Sequence, residues 1–252
     1  MIIQLPNNRT QAPYQTPQPQ TEIGGLREMF GEINQRYLVD NPSSTYLTLK
    51  RAFDITLSFT IIVCVLSWLY PIIALLIKLT SRGPVLFIQE RTGYLGLEFD
   101  CYKFRTMYVN SEAHTTQATA RDPRITPVGH ILRATHLDEL PQLFNVLLGD
   151  MSIVGPRPHM LYHTRYYAKT IPYYHLRHNA VPGMTGMAQI KGYIGEINLE
   201  RDLRKRIQWD IYYLKHRSGW LDFKIFFITI GQVIGKALHI LKRRSRDEDQ
   251  QA

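Results

Sequence analysis

The sequence predicts an α+β fold, mostly helical, in which a re-entrant membrane helix and interfacial amphipathic helices seat a domain that carries a small β-hairpin. Three observations predict it. Residues 55–77 hold no charged side chain, a run long enough to reach through a bilayer core of about 30 Å. Leu140, Leu143, Phe144, Leu147 and Leu148 fall at i, i+3, i+4, i+7 and i+8, one apolar face of a helix. Two strand-like stretches, 85–91 and 97–104, flank a turn at 93–96 and read as a hairpin.

Taken in order, residues 1–20 are polar and rich in Pro and Gln; they read as a disordered tail and not as a cleavable signal peptide. Within 21–45, Leu26, Met29, Phe30, Ile33 and Leu38 recur at loosely helical spacing, so a short surface helix is expected, ended by Asp40-Asn41-Pro42. The uncharged run follows. Lys50 and Arg51 flank one end and Lys78 and Arg82 the other, so the bias of basic residues toward one side of a membrane selects no orientation. Pro71 lies inside the run, where it removes a helical hydrogen bond and kinks the helix. A helix that goes into the bilayer, bends and leaves by the same face accounts for both facts. A soluble core helix is the weaker reading, because such helices are rarely uncharged for so long. Asp54 is expected at the interface, paired with a nearby cation.

Arg91, Lys103 and Arg105 lie along the hairpin. A solvated basic edge and an attraction for phosphate or lipid head groups both account for them. Residues 110–130 read as a flexible connection containing Arg121-Asp122-Pro123-Arg124, and 128–134 as a short helix that delivers Arg133. The helix at 140–148 has marked ends. Pro141 suits a first turn, where no backbone donor is needed, and Gly149 stands where a C-terminal cap belongs. Asp138 and Glu139 then stand at its start, the end that attracts anions. Adjacent helical positions differ by about 100°, so the two carboxylates have different jobs. They cannot straddle a sugar bond as a glycoside hydrolase pair does, with carboxyl groups about 5–9.5 Å apart. The turn Gly155-Pro156-Arg157-Pro158 can return a second guanidinium to the same place. Caps and turns are the ordinary explanation of each feature alone. Two arginines and two acids around one helix start point to an anion with a metal beside it.

Beyond Pro158 the chain is basic and aromatic, with Tyr162, Tyr166, Tyr167, Tyr173, Tyr174, Arg165 and Arg177. Base stacking is conceivable, but amphipathic side chains at a membrane surface and domain rim are expected. The histidines at 159, 163, 175 and 178 pair with no acid or cysteine at metal-ligand spacing. Gly183 and Gly186 would let the backbone approach a ligand. Residues 200–215 form a helix with Leu203, Ile207, Ile211 and Leu214 on one side; Asp210 on it is either a surface acid or a support of the site. The stretch 221–241 is apolar but interrupted by Lys224 and Lys236. It should lie in the interface and end in Lys242-Arg243-Arg244, which anionic lipid attracts.

At 252 residues the chain holds one domain with appendages, and 30 Lys and Arg against 21 Asp and Glu give a charge of +9. An anionic partner fits: nucleic acid, anionic lipid or a polyphosphate. No zinc finger, basic zipper or RNA-binding aromatic motif is present, so no nucleic acid partner is expected. Cys64 and Cys101 make no disulfide framework and read as packing residues.

The run from Leu137 to Pro158, Leu-Asp-Glu-Leu-Pro-Gln-Leu-Phe-Asn-Val-Leu followed by Gly-Asp-Met-Ser and Gly-Pro-Arg-Pro, closely resembles the bacterial sugar transferase family, the monotopic phosphoglycosyl transferases. The resemblance covers about 50–228, including Gln-Glu-Arg at 89–91, Lys-Phe-Arg-Thr-Met at 103–107, the loop 181–189 and Asp210. It implies transfer of a hexose 1-phosphate from a UDP-sugar to polyprenyl (undecaprenyl) phosphate, releasing UMP and starting an exopolysaccharide, O-antigen or capsule. It implies Asp138 as nucleophile and Mg²⁺ ligand, and Glu139 as a metal-orienting or proton-handling partner. Arg133, Arg157, Pro156, Pro158, Lys103, Arg105, Gln189 and Asp210 would bind or support substrate and phosphate. It places the protein on the bacterial inner (cytoplasmic) membrane, with an N-terminal extension at 1–45, the re-entrant helix at 46–82, a catalytic domain on the cytoplasmic face at 83–218 and an interfacial helix with a basic tail at 219–252. Tyr70 stands where many relatives have Ser before the proline, and Met187 where they have Trp. An N-acetylated sugar donor, or a membrane-bound scaffold with a dead site, are the alternatives. The sugar, and a homodimer, stay open.

Overall fold

The computed structural model describes residues 42–110, 116, 118–119, 122–171, 173–195 and 199–249, with side chains as far as 236. The expected tail at 1–20, nearly all of the 21–45 helix, Arg121 and the side chains of Lys242-Arg243-Arg244 lie outside them.

Helix α1 (Ser44–Thr80) is long and apolar enough to cross a membrane. The Ser43 hydroxyl caps its start by accepting from the Tyr46 amide. Its middle widens into a π-helical stretch, Ile62–Leu66, just before Pro71. A π-bulge is one of the identifiable ways a helix absorbs a break in its ladder. Two carbonyls of this stretch accept from side chains: Ser67 Oγ donates to Val63 O at 2.6 Å and Trp68 Nε1 to Cys64 O at 2.9 Å. In lipid such carbonyls have no water to turn to. Tyr70 packs on Phe104, with ring centroids 5.3 Å apart.

One narrow stripe of α1 is buried along its whole length, through Asp54, Ser58, Leu66, Ile73 and Ile77. The opposite face, including Phe59, Val63, Trp68, Leu75, Leu79 and Cys64, is exposed; Cys64 is therefore not a core residue. Both ends are fastened to the domain. Near the start, Lys50 Nζ donates to Val154 O at 2.8 Å and Arg51 to Leu147 O at 2.7 Å. Asp54 accepts from the Ile153 amide at 3.0 Å, while the nearby cation Lys50 pairs with Asp222; Asp54 is a buried backbone acceptor and not one half of an interfacial ion pair. At the far end the Arg105 guanidinium donates to Ser81 O, Ser81 Oγ and Arg82 O at 2.8 to 2.9 Å.

Strands β1 (Leu86–Thr92) and β2 (Glu98–Phe104) form the expected antiparallel hairpin, with Phe87 opposite Lys103 and Arg91 opposite Phe99. Helix α2 (Pro127–Thr135) is capped by the Thr126 hydroxyl and ends at His136, a left-handed residue at φ 58°. The sequence places Asp138 and Glu139 at the start of a helix; they occupy instead a separate 3₁₀ turn, Leu137–Glu139. Helix α3 (Gln142–Leu148) begins after Pro141 and is closed by Gly149 at φ 100°. It buries Leu143, Asn145 and Val146, and leaves Phe144 and Leu148 exposed, so the apolar face is split between core and surface. Asn145 ties α3 to the hairpin: its side chain accepts from the Tyr102 amide at 3.0 Å and donates to Asp100 O at 2.6 Å.

A second, parallel pair, β3 (Ser152–Val154) and β4 (Gly183–Thr185), was not expected. It brings Gly155 and Gly183 so close that a Cβ on Gly183 would lie 2.1 Å from the Gly155 amide. These glycines serve the packing of two backbones and not a ligand's approach. Helices α4 (Leu161–Thr170), α5 (Met187–Ile190), α6 (Glu200–His216) and α7 (Gly219–Asp249) complete the layer. The aromatic stretch is not a rim: Tyr167, Tyr174, Arg177 and His178 are buried, while Tyr162 and Tyr166 are exposed.

Arg105→Met should lower unfolding stability by about 3 kcal/mol, since it strips charge-assisted bonds from the end of α1. Denaturant unfolding in detergent measures it; an unchanged midpoint would mean that the cap is dispensable.

Candidate active site

A cavity of about 700 Å³ opens between the hairpin, the Leu137–Glu139 turn, the Pro-Arg-Pro turn and α6, within the usual size of a small-molecule site. Among the described residues its only two acids are Asp138 and Glu139. The left-handed His136 makes this possible, because it breaks α2 and turns the chain so that the short 3₁₀ turn presents both carboxylates. Such backbone positions cost about 1 kcal/mol or more and gather at functional sites.

The two acids are in opposite electrostatic situations. Glu139 is clamped: Lys103 Nζ donates to Oε1 at 2.7 Å, Arg157 NH1 donates to Oε2 at 3.1 Å, and Arg157 NH2 also donates to Oε1. Burial pushes the Glu139 carboxyl up, but Arg157 and Lys103 together outweigh it and hold it well below the usual carboxylate range. Glu139 in turn holds the Arg157 guanidinium above its ordinary value. Asp138 has no such partner. Burial pushes its carboxyl up, against the opposing pull of Lys103, and no hydrogen bond to its oxygens is present among the described residues.

The Pro-Arg-Pro turn is pinned from two sides. Arg91 NH1 donates to Pro158 O at 2.8 Å. Arg177 NH2 donates to Arg157 O at 2.6 Å, and the same guanidinium grips Asp210 Oδ2 at 2.7 and 2.9 Å. Asp210 and Arg177 are almost wholly buried. Asp210 therefore stands two links from the cavity, and through Arg177 it fixes the backbone that carries Arg157.

Of the residues the sequence singled out, Lys103, Arg133, Asp138, Glu139, Arg157 and Pro158 meet at the cavity. Arg105 borders it, but its guanidinium is spent on the end of α1. Pro156 and Gln189 do not line it. Pro156 is buried and accepts from the Gly183 amide at 3.0 Å, and Gln189 donates to Met184 O at 3.1 Å. His136 and Arg206 line it without having been singled out, and so do His159 and His163, which the sequence set aside as metal ligands. Arg206 was detectable in principle: it shares the stripe of Leu203, Ile207 and Asp210 at helical spacing, where a charge is out of place. Its side chain donates to Gly195 O at 3.0 Å, and burial lowers its pKa to about 10. His159 accepts or donates at Nδ1 with Tyr174 Oη at 2.7 Å, and burial, then Arg177, keeps its pKa well below the ordinary histidine value.

Among the described residues no three His, Cys, Asp or Glu side chains gather as a metal cluster. The arrangement fits Mg²⁺ in another way, since that ion commonly takes one or two carboxylates and completes its shell with substrate phosphates and water. Asp138 is the uncommitted carboxylate available for that.

The bacterial sugar transferase family matches residues 45–236. A UDP-glucose:undecaprenyl-phosphate glucose-1-phosphate transferase from Escherichia coli is 48% identical over 195 residues, covering 77% of this chain and 42% of the relative. A UDP-N-acetylgalactosamine-undecaprenyl-phosphate N-acetylgalactosaminephosphotransferase from Aeromonas hydrophila is 44% identical, covering 77% and 45%. The chain thus spans less than half the length of these two relatives. A UDP-glucose:undecaprenyl-phosphate glucose-1-phosphate transferase from Caulobacter vibrioides is 39% identical over 224 residues, covering 83% of this chain and 84% of that one. The match takes in the hairpin, the paired carboxylates, the Pro-Arg-Pro turn and Asp210 alike, and the chain belongs to the bacterial sugar transferase family.

Proposed function

We propose that the chain transfers a hexose 1-phosphate from a UDP-sugar to polyprenyl phosphate, with UMP as the leaving group and Asp138 as the nucleophile. The observation that carries this is the asymmetry of the two acids. Both oxygens of Glu139 are occupied by Lys103 and Arg157, which leaves Asp138 as the carboxylate able to attack. Its Oδ forms a bond to the phosphorus that bears the sugar, and the bond from that phosphorus to the UMP oxygen breaks. A phosphate oxygen of the lipid then attacks the same phosphorus, and the Asp138 carboxylate leaves, which regenerates the protein and yields a lipid-linked diphosphate sugar. Glu139, held strongly ionised, is a poor proton carrier near neutral pH; its work is to hold Lys103 and Arg157 where an anion is handled. Mg²⁺ held by Asp138 and the donor's diphosphate would offset the repulsion between anions.

The acceptor is a lipid, and the fold supports a seat for it. Straight, α1 would be about 55 Å long, yet its buried stripe and both its fastened ends lie on one domain. That favours a helix dipping into one face of the bilayer over one that crosses it. The exposed apolar residues of α3 and α7 extend the same seat, on the cytoplasmic face of the bacterial inner membrane, where UDP-sugars are made. The relatives name glucose and N-acetylgalactosamine, so the donor is a UDP-hexose or its N-acetylated counterpart, and the product starts a surface glycan.

UMP release from a panel of UDP-sugars, with Mg²⁺ and undecaprenyl phosphate, tests the reaction; no UMP from any donor would favour an inactive scaffold. Asp138→Asn should abolish release without loss of stability, because burial disfavours the charge it removes. Turnover near that of the wild type would remove Asp138 from the role. Glu139→Gln should cost about 3–5 kcal/mol of stability by leaving two buried cations without their partner, read by thermal unfolding; an unmoved midpoint would show that the clamp is not structural. Cysteines in place of Thr45 and Arg82 should label from the same side of the membrane, whereas labelling from opposite sides would mean a crossing helix.

A further inference from the structure

Lys236 is out of place for its helix. The outer face of α7 runs through Trp220, Phe223, Phe227, Ile230 and Ile234, all exposed, at spacings of three and four. Lys236 is not on that face. It continues the domain-facing stripe of Asp222 and Ile225, both buried, and Thr229, which bonds to Thr185 at 2.6 Å. A lysine on the outer face would lay its stem along lipid and lift its ammonium to water. Lys236 instead brings Nζ to 3.4 Å from Nε2 of His136, a residue that lines the cavity of Asp138 and Glu139. Among the described residues no carboxylate pairs with it. Attraction to the carbonyls at the end of α2 does not explain the contact either, because its partner is a ring nitrogen.

Of the cations that line the cavity, Arg91, Arg105 and Arg206 donate to backbone carbonyls; Lys236 does not line it and meets it through His136. Lys103 and Arg157 are committed to Glu139. Among the described residues Arg133 has one long contact, to Thr106 Oγ1 at 3.4 Å, and Lys236 has only His136. Arg133 and Lys236 stand near the end of α2, on two helices that also expose apolar side chains, Ile131 on α2 and Trp220 to Ile234 on the outer face of α7. An anion with a long apolar tail matches those two helices: its charge meets Arg133, His136 and Lys236, and its tail has their exposed apolar faces to run along.

We infer that Lys236, with His136 and Arg133, forms the port at which the phosphate of the polyprenyl acceptor is captured before it attacks at Asp138. This rests on the proposed reaction and adds to it the direction of the acceptor's approach. The test uses the full chain in detergent, undecaprenyl phosphate, and the UDP-sugar that the wild type turns over. Lys236→Met should raise KM for undecaprenyl phosphate roughly tenfold or more, the loss expected for one charge-assisted hydrogen bond. It should leave unchanged both the KM for the UDP-sugar and the single-turnover release of UMP without acceptor. Lys236→Arg should restore most of the acceptor KM, and Lys224→Met, whose ammonium lies over Trp220, should not change it. An unchanged acceptor KM in Lys236→Met overturns the port. So does an equal rise in the donor KM, which would give the site to the UDP-sugar. So does a rise that tracks weakened binding to phosphatidylglycerol vesicles, which would make Lys236 a head-group contact. If the wild type itself releases no UMP in a single turnover, the reaction has failed and not the port.

Discussion

The ion cluster of Lys103, Glu139 and Arg157 holds three separate pieces of chain in one place. Lys103 comes from β2, Glu139 from the 3₁₀ turn and Arg157 from the Pro-Arg-Pro turn. Its members are partly buried, with side-chain exposures of 15%, 15% and 24%, so their mutual attraction is weakly screened while their desolvation is only partial. The cluster does two things at once. It fixes the geometry of the turn, and it occupies one carboxylate so completely that its neighbour is the one left free. Adjacent residues in the chain thereby acquire opposite electrostatic characters without any difference in their own chemistry.

The same logic of committed and uncommitted groups runs outward. Arg177 is held by Asp210 and in turn holds the carbonyl of Arg157. Arg105 is tied to the end of α1, and Asp222 gathers Lys50, Tyr46 and Tyr213 at its start. Asp54, Arg105 and Asp222 are buried charges that pin the apolar helix to the domain. The apolar surface that α1, α3 and α7 leave uncovered is the complement of this: with polar groups turned inward and satisfied, the outer faces can meet lipid.

Local features of the site were legible. Pro141, Gly149 and the paired acids marked a turn and a helix because they act through their own backbone geometry, and the hairpin was readable from two runs around glycines. Pro71 marked a break in the long apolar helix, but not the π-helical stretch at 62–66 or the donors Ser67 and Trp68, which carry no pattern of their own. What escaped was set by distant partners. Strands β3 and β4 are three residues each and pair across about thirty intervening positions, too short for any periodicity. The burial of Tyr174 and Arg177 follows from Asp210, far along the chain. The exposure of Phe144 and Leu148 is invisible to periodicity, which finds an apolar face but not whether protein or lipid covers it.

The most direct test of the free-carboxylate account is to look for the sugar phosphate on the protein itself. Full-length protein incubated with Mg²⁺ and its UDP-sugar, without lipid acceptor, is quenched, digested and read by mass spectrometry. The account predicts a hexose phosphate adduct on the peptide containing Asp138, lost on adding undecaprenyl phosphate and absent in Asp138→Asn. An adduct on another residue, or UMP release in the presence of acceptor with no adduct at any time, would contradict it.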